Sequence, residues 1–314
     1  MIDFLKVGLI QPVINPDICW NESDSFIDFE KKRIGVTPYK LNIDALSAER
    51  VWQEISDGLR LLIKSNNCPQ IILIPELHLP ISKVNELKII SKKHNIMIIA
   101  GIDFQRNPSD ASKIRNRGII TIPNNWGKDT ISTRITSLHY GKTYFTYMER
   151  SMFKNIEGSQ CYEDPEQNMY IFKSEKFGNF GIMICSDIFD IERMLLYQTK
   201  IHHLFIISLN KDLNTYFSMA ETLARLLYCN VVICNTGHYG GSVVISPYED
   251  SNERTIYKYQ GQKMFNTHLI NIPVKSLDEA QNFDFSNDKK EKIYVIKHLR
   301  QVILIRFREI NKYI

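Results

Sequence analysis

The sequence predicts a layered α/β fold, and three observations carry that expectation. Short apolar runs rich in β-branched residues recur along the chain. Segments with helical apolar spacing lie between them. No Pro/Ser-rich linker, internal repeat or low-complexity tract divides the sequence. Strands alternating with helical patterns are the signature of stacked α/β layers.

The elements follow in order. The run VGLIQ (7–11), followed by Pro12, suits a buried first strand. Residues 44–64 place apolar side chains at 46, 51, 55, 59 and 62, a helical stripe opened by Asp44 as N-cap. QIILIPE (70–76) reads as a strand ended by its proline. ISKVNELKIISKKHN (81–95) reads as helix and IMIIAGI (96–102) as strand. RNRGIITIPNNWGKDTISTRITSLHYGK (115–142) predicts two strands around an NNWGK turn. NMYIFKSEKFGNFGIMIC (168–185) predicts a second hairpin-like pair. Then come a helix at 191–198, a strand at 203–209, a helix at 215–229 and a strand at 231–237, with GGSVVISP (240–247) close behind. Residues 15–43 and 275–292 are charged and show no clear period, after which IYVIKHLRQVILIRF (293–307) recovers a structured pattern.

Composition narrows the function. The 314 residues are 44% hydrophobic and 24% charged with a net charge of +4, enough to bury a large core as one domain. That mild charge argues against a nucleic-acid binder. No apolar window approaches the roughly eighteen residues that a membrane-spanning helix needs. No basic, apolar and small-residue leader pattern opens the chain, and none of the six cysteines forms a Cys-x-x-Cys pair. A reducing, cytoplasmic setting is expected, with no nucleic-acid or membrane partner.

The chemistry centres on FGNFGIMICSDIFD (177–190). Cys185 ends an apolar run, where a free thiol serves either as core packing or as a nucleophile presented at a strand end. Glu76 ends IILIPE in the same manner, as a solvated cap or as a partly buried carboxylate fit for a general base. Lys142 lies in the aromatic stretch LHYGKTYFTYMER, where a surface lysine is the plainer alternative.

Taken together, ILIPE, GKTYFTYMER, FGIMICSDIFD and NTGHYGGSVVISP resemble the nitrilase superfamily of carbon–nitrogen hydrolases. The likeness runs from about residue 5 to 272. It implies a four-layer α-β-β-α sandwich with a Glu-Lys-Cys triad. Carried over, Glu76 is the general base, Lys142 the stabiliser of the tetrahedral intermediate and Cys185 the nucleophile. Glu149 matches the family's second glutamate, and Asp187 either structures the turn after the cysteine or is a plain cap. Lys154, in MFKNIEG, is the alternative alignment for the lysine. The resemblance implies one domain over 1–314, with an insertion at 15–43 and a C-terminal extension at 275–314.

Departures fall near the pocket. Ser186 stands where the family commonly has Trp or Tyr, and Thr143-Tyr144-Phe145 replaces a His-Leu-like pair after the lysine. Ser186, Tyr144 and His238 are therefore the substrate-pocket candidates. The expected substrate is a small amide, carbamoyl compound or nitrile, cleaved through a cysteine thioester without cofactor or metal. A homodimer or higher oligomer is implied. The alternatives are an acyltransferase on the same fold and a catalytically silent binding module. His202 and His203 are adjacent in a strand and point apart, so they cannot share a metal. Cys229 and Cys234 bracket an apolar strand and fit core packing.

Overall fold

The computed structural model describes residues 1–20, 39–156, 158–162 and 168–282. Met1–Gln281 form one compact unit. Most of the expected 15–43 insertion lies outside the described residues, as does the 293–307 run. Of the expected extension, only the helix Lys275–Asn282 is described.

Thirteen strands are assigned among the described residues: β1 (Phe4–Gln11), β2 (Ile71–Leu79), β3 (Met97–Asn107), β4 (Asp110–Pro123), β5 (Ile135–Gly141), β6 (Gln160–Cys161), β7 (Ile171–Phe172), β8 (Phe180–Ile184), β9 (His203–Ser208), β10 (Asn230–Asn235), β11 (Ser242–Ile245), β12 (Thr255–Tyr259) and β13 (Asn266–Pro273). The helices are α1 (Pro16–Cys19), α2 (Ala45–Lys64), α3 (Val84–His94), α4 (Tyr147–Lys154), α5 (Ile191–Tyr197), α6 (Leu213–Leu227) and α7 (Lys275–Asn282).

Two sheets result, in the orders β13-β1-β2-β3-β4-β5 and β12-β11-β10-β9-β8-β7, with β6 beside β4. Each has three parallel strands at its centre and antiparallel strands outside them. Side-chain alternation divides the core. In the first sheet Val7, Leu9, Ile71, Leu73, Met97 and Ile99 share one apolar cluster with the second sheet's Ile182, Ile206 and Val232. Their neighbours Ile10, Ile72, Ile74, Ile98 and Ala100 turn instead to Trp52, Ile55, Leu59 and Leu62 of α2. A strand buried on both faces must be apolar at every position, which is why these runs show no polar alternation. Each such side chain stabilises the fold by roughly 1.5–3 kcal/mol.

The expected elements form with two differences. Asp44 does cap α2, accepting from Ser47 N at 3.0 Å, but Leu46 of the predicted stripe is exposed in the first turn. The proline does not end β2, which continues through Pro75 to Leu79.

Candidate active site

That continuation shapes the site. β2 pairs with β3 from Ile71 to Ile74, and then again only where Leu79 meets Ile102. Pro75 has no N–H to give the ladder, so it is tolerated at such a bulge. Leu77 inside the irregular stretch has φ +62. Across from it lies Gly101, where an added Cβ would stand 2.3 Å from Glu76 Cα and 2.6 Å from Leu77 N. The bulge thus sits against bare backbone, and Glu76 is buried in the interior.

Glu76 is surrounded by donors. Its Oε1 accepts from Asn116 Nδ2 at 2.7 Å and Lys142 Nζ at 2.8 Å, and its Oε2 from Leu209 N at 2.9 Å. Lys142 follows the end of β5 and is tied to β4 through its backbone N, 2.8 Å from Asn116 O. Its ammonium also lies 2.8 Å from Glu149 Oε2. Burial alone would lower the Lys142 pKa, but Glu149 and Glu76 outweigh it and hold the amine well above its usual value.

Glu149 is set by a capping box at the start of α4. Thr146 Oγ1 accepts from Glu149 N, while Glu149 Oε2 accepts from Thr146 N at 2.8 Å. Glu149 Oε1 takes the other proton of the Asn116 amide at 2.8 Å. Burial pushes its pKa up, yet Lys142 and these donors bring it below the ordinary carboxylate value.

Cys185 stands where β8 turns into a short 3-10 segment, with φ +46. A non-glycine residue held there costs of order 1–3 kcal/mol and points its side chain out of the strand line. The sulfur lies 3.1 Å from the Tyr216 hydroxyl and 3.7 Å from that of Ser208. Burial pushes the thiol up to about 12 and the Glu76 charge adds to this, while Lys142 and the Tyr216 hydrogen bond oppose it.

Asp187 braces the cysteine turn against the lysine loop. It accepts from Thr143 N at 3.0 Å and Tyr144 N at 2.9 Å, and Arg193 stands 3.4 Å away. Arg193 also donates to Thr143 Oγ1 at 2.6 Å. Ser186 donates to Tyr144 O, so these two pocket candidates adjoin one another, with the Tyr144 ring exposed. The His238 ring lies 4.8 Å from that of Tyr239, and its backbone N donates at 3.2 Å to Thr236 Oγ1. Lys154 is exposed at the end of α4, away from the buried cluster. The two rings of His202 and His203 have separate partners, Asp278 and Asn179 for the first and Phe177 and Asn230 for the second.

Several members of the cluster were not anticipated from sequence. Asn116, Tyr216 and Ser208 carry no local signal. Thr146 does, since Thr-x-x-Glu before an amphipathic stretch is a capping-box pattern. His78, two residues past Glu76, is buried with Nδ1 2.6 Å from Glu76 O and Nε2 2.9 Å from Thr236 Oγ1. Burial lowers its pKa to about 4, so it is a neutral support for the bulge.

Two face-to-face sheets with helices outside define a four-layer α-β-β-α sandwich. The fold is that of the nitrilase superfamily. No sequence-family model matches the chain, and no curated protein sequence does. Among solved structures, it is similar to Nit3 of Saccharomyces cerevisiae, a member of branch 10 of the nitrilase superfamily, at 14% identity and a TM-score of 0.57. That likeness covers 92% of this chain and 97% of Nit3. It is also similar to NitN amidase of Nesterenkonia sp. AN1, at 12% identity and a TM-score of 0.56, covering 86% of this chain and 93% of the other. A mutant of that amidase, with the acetamide moiety of fluoroacetamide covalently added at its active-site cysteine, matches at 11% identity and a TM-score of 0.57, covering 90% and 95%.

Proposed function

We propose that this protein is a nitrilase-superfamily hydrolase that cleaves a small non-peptide amide or nitrile through a thioester on Cys185. The observation that carries the reading is the buried Lys142 ammonium, 2.8 Å from both Glu76 and Glu149 and electrostatically coupled to the Cys185 sulfur.

The roles follow from the charges. Lys142 stays protonated, so it donates and cannot serve as the base. Glu76 takes the thiol proton as sulfur attacks the substrate carbon. Charge growing on oxygen, or on nitrogen in a nitrile, is stabilised by Lys142 and by the Ser186 backbone N–H after the nucleophile. For an amide, Glu76 returns the proton to the departing amine, which leaves the acyl group on sulfur. The carboxylate then takes a proton from water, whose oxygen attacks the thioester, and sulfur leaves as the restored thiol. Glu149 and Asn116 hold Lys142 and Glu76 in place through both steps. A thiol with its resting pKa near 12 is unreactive toward solvent, so sulfur is activated only when the base and the acceptor carbon are both in place.

The test is covalent and kinetic together. Iodoacetamide should label Cys185, and Cys185→Ala should abolish both that labelling and ammonia release from a panel of short-chain amides. Full turnover by Cys185→Ala would sink the mechanism. Adding hydroxylamine to the assay reads acyl transfer as hydroxamate in place of the free acid.

A further inference from the structure

We propose that the cavity beside Lys142, at the edge of β4, binds a small carboxylate- or phosphate-bearing molecule that also carries a hydroxyl or amide N–H. It encloses about 230 Å³, room for about seven waters. It forms where the pairing along one edge of β4 passes from one strand to another. On that edge β5 pairs down to Arg117 opposite Gly141, while β6 pairs only with Lys113 and Ile114. Arg115 and Asn116 face the gap, and Tyr140, Lys142 and Tyr162 complete its wall.

Three buried side-chain atoms have no hydrogen-bond partner among the described residues: Arg115 Nε, Asn116 Oδ1 and Tyr140 OH. All three belong to residues lining this one cavity. Buried polar atoms are nearly always paired, and leaving one unpaired is costly, so three around a single void call for an occupant. Their chemistry describes it. The guanidinium N–H and the phenol donate, which suits an oxyanion. Asn116 Oδ1 only accepts, which requires an O–H or N–H on the same molecule. The orientation of that amide is fixed, because its nitrogen already donates to Glu76 at 2.7 Å and Glu149 at 2.8 Å. The reverse orientation would set its oxygen against two carboxylates.

The Arg115 guanidinium points the same way. It lies over the Tyr162 ring, 4.7 Å from its centroid, which holds the cation at the wall. His139 in the same wall has its pKa lowered by burial and by Arg117 and Lys88, so it is neutral there and adds no positive charge. Glu76 and Glu149 share the single Lys142 ammonium, so one negative charge remains in that cluster. Water alone would fill the hydrogen bonds, but an oxyanion also answers the guanidinium. Cys185 does not line this cavity, which shares Asn116 and Lys142 with the reactive cluster. The site therefore does not rest on the hydrolase reading.

The experiment is calorimetric titration of the full chain with L-malate and, separately, inorganic phosphate, at constant ionic strength with chloride as control. Saturable binding of at least one anion is expected, weakened tenfold or more in Arg115→Gln and in Tyr140→Phe. Tyr140→Phe removes one oxygen, so it carries the comparison if Arg115→Gln does not fold. Absence of saturable heat with both anions overturns the proposal, as does unchanged affinity in the folded variants. The same titration on Cys185→Ala needs no turnover, so it separates failure here from failure of the hydrolase mechanism. Iodoacetamide labelling of Cys185 identifies the source. Protection by the bound anion marks it as the mimic of a carboxylate on the substrate, and unchanged labelling marks a free effector.

Discussion

The phenolic oxygen of Tyr216 lies 3.1 Å from the sulfur of Cys185, across 31 residues of sequence. Tyr216 sits in the first turn of α6, buried, with Phe189 edge-on at 6.1 Å. Burial and the neighbouring Cys185 raise the Tyr216 pKa, so its hydroxyl stays protonated and donates to the forming thiolate. Its hydrogen bond lowers a thiol pKa that burial has pushed to about 12. In Tyr216→Phe the thiolate loses a charge-assisted bond of about 1.5–3 kcal/mol, so its population should fall by about tenfold or more. Roughly half of that returns as greater nucleophilicity of a more basic sulfur. Alkylation of Cys185 at pH 8 should therefore slow by about threefold or more. An unchanged rate would show that the contact does not tune the sulfur.

Lys142 and Lys154 make opposite predictions. Lys142 is buried between two carboxylates and Lys154 is exposed. Lys142→Ala should abolish amide turnover and cost about 3–5 kcal/mol, because buried charges are left without their partner. Lys154→Ala should keep activity and change stability by less than about 0.5 kcal/mol. The pH dependence adds a second readout. Glu149 is held below its ordinary value of 4.5, so its contribution is complete above that pH and is lost as pH falls through the lower folded value. In Lys142→Ala the facing carboxylates repel, so acidification from pH 7 to 5 should stabilise the variant. Urea midpoints from pH 7 down to about pH 3 check both signs, and a full-activity Lys142→Ala would overturn the assigned role.

Asp187 yields a separable pH effect. Burial raises its pKa from 3.8 to about 6, although Tyr144 N, Arg193 and Thr143 N all favour the charged form. A raised folded value means that the unfolded chain ionises first. Stability should therefore fall as pH rises from about 4 to about 6, by on the order of 3 kcal/mol at most. Asp187→Asn should flatten that fall in a urea-midpoint profile. It should also slow turnover, since the amide cannot accept from both Thr143 and Tyr144 and still face Arg193. A variant with the wild-type slope would assign the fall to another group, Asp103 being the next with a pKa raised to about 6.

Legibility in the sequence tracked the range of the interaction. Glu76 and Cys185 were readable because each closes an apolar run, and two-sided burial leaves such runs without polar alternation. The α2 stripe and its Asp44 cap were readable because both are local. The role of β13 was not: it completes the first sheet by pairing Asn266 with Gln11 and Pro273 with Phe4, across nearly the whole described chain. Asn116 joins Glu76 and Glu149 from a strand whose own pattern shows only alternation, and Tyr216 reaches Cys185 from a helix that reads as amphipathic. Pro75 misled for a physical reason. It breaks the ladder as expected, but the break is the bulge that aims Glu76 rather than the end of the strand.

The sharpest test of the bulge leaves every reactive residue in place. A Cβ on Gly101 would stand 2.3 Å from Glu76 Cα, 2.6 Å from Leu77 N and 2.6 Å from Pro75 O. All three are backbone atoms, so no side-chain rotation relieves the contact. Gly101→Ala must push β2 away from β3 where Glu76 leaves the ladder, and Glu76 carries Lys142 and Asn116 with it. Misplacement of a positioned group by about 1 Å costs on the order of a hundredfold in rate. Gly101→Ala should therefore lose about that much in kcat and a few kcal/mol in stability, with iodoacetamide labelling of Cys185 altered because Glu76 acts on the sulfur. Gly118→Ala is the matched control. There the atoms to be displaced belong to the Tyr140 ring, 2.3–2.7 Å from the added Cβ, so the strain falls on a side chain outside the Glu76 bulge. Comparable stability loss in both variants, with turnover collapsing only in Gly101→Ala, would tie activity to the bulge itself. Equal loss of turnover in both would instead trace the effect to general loosening of the first sheet.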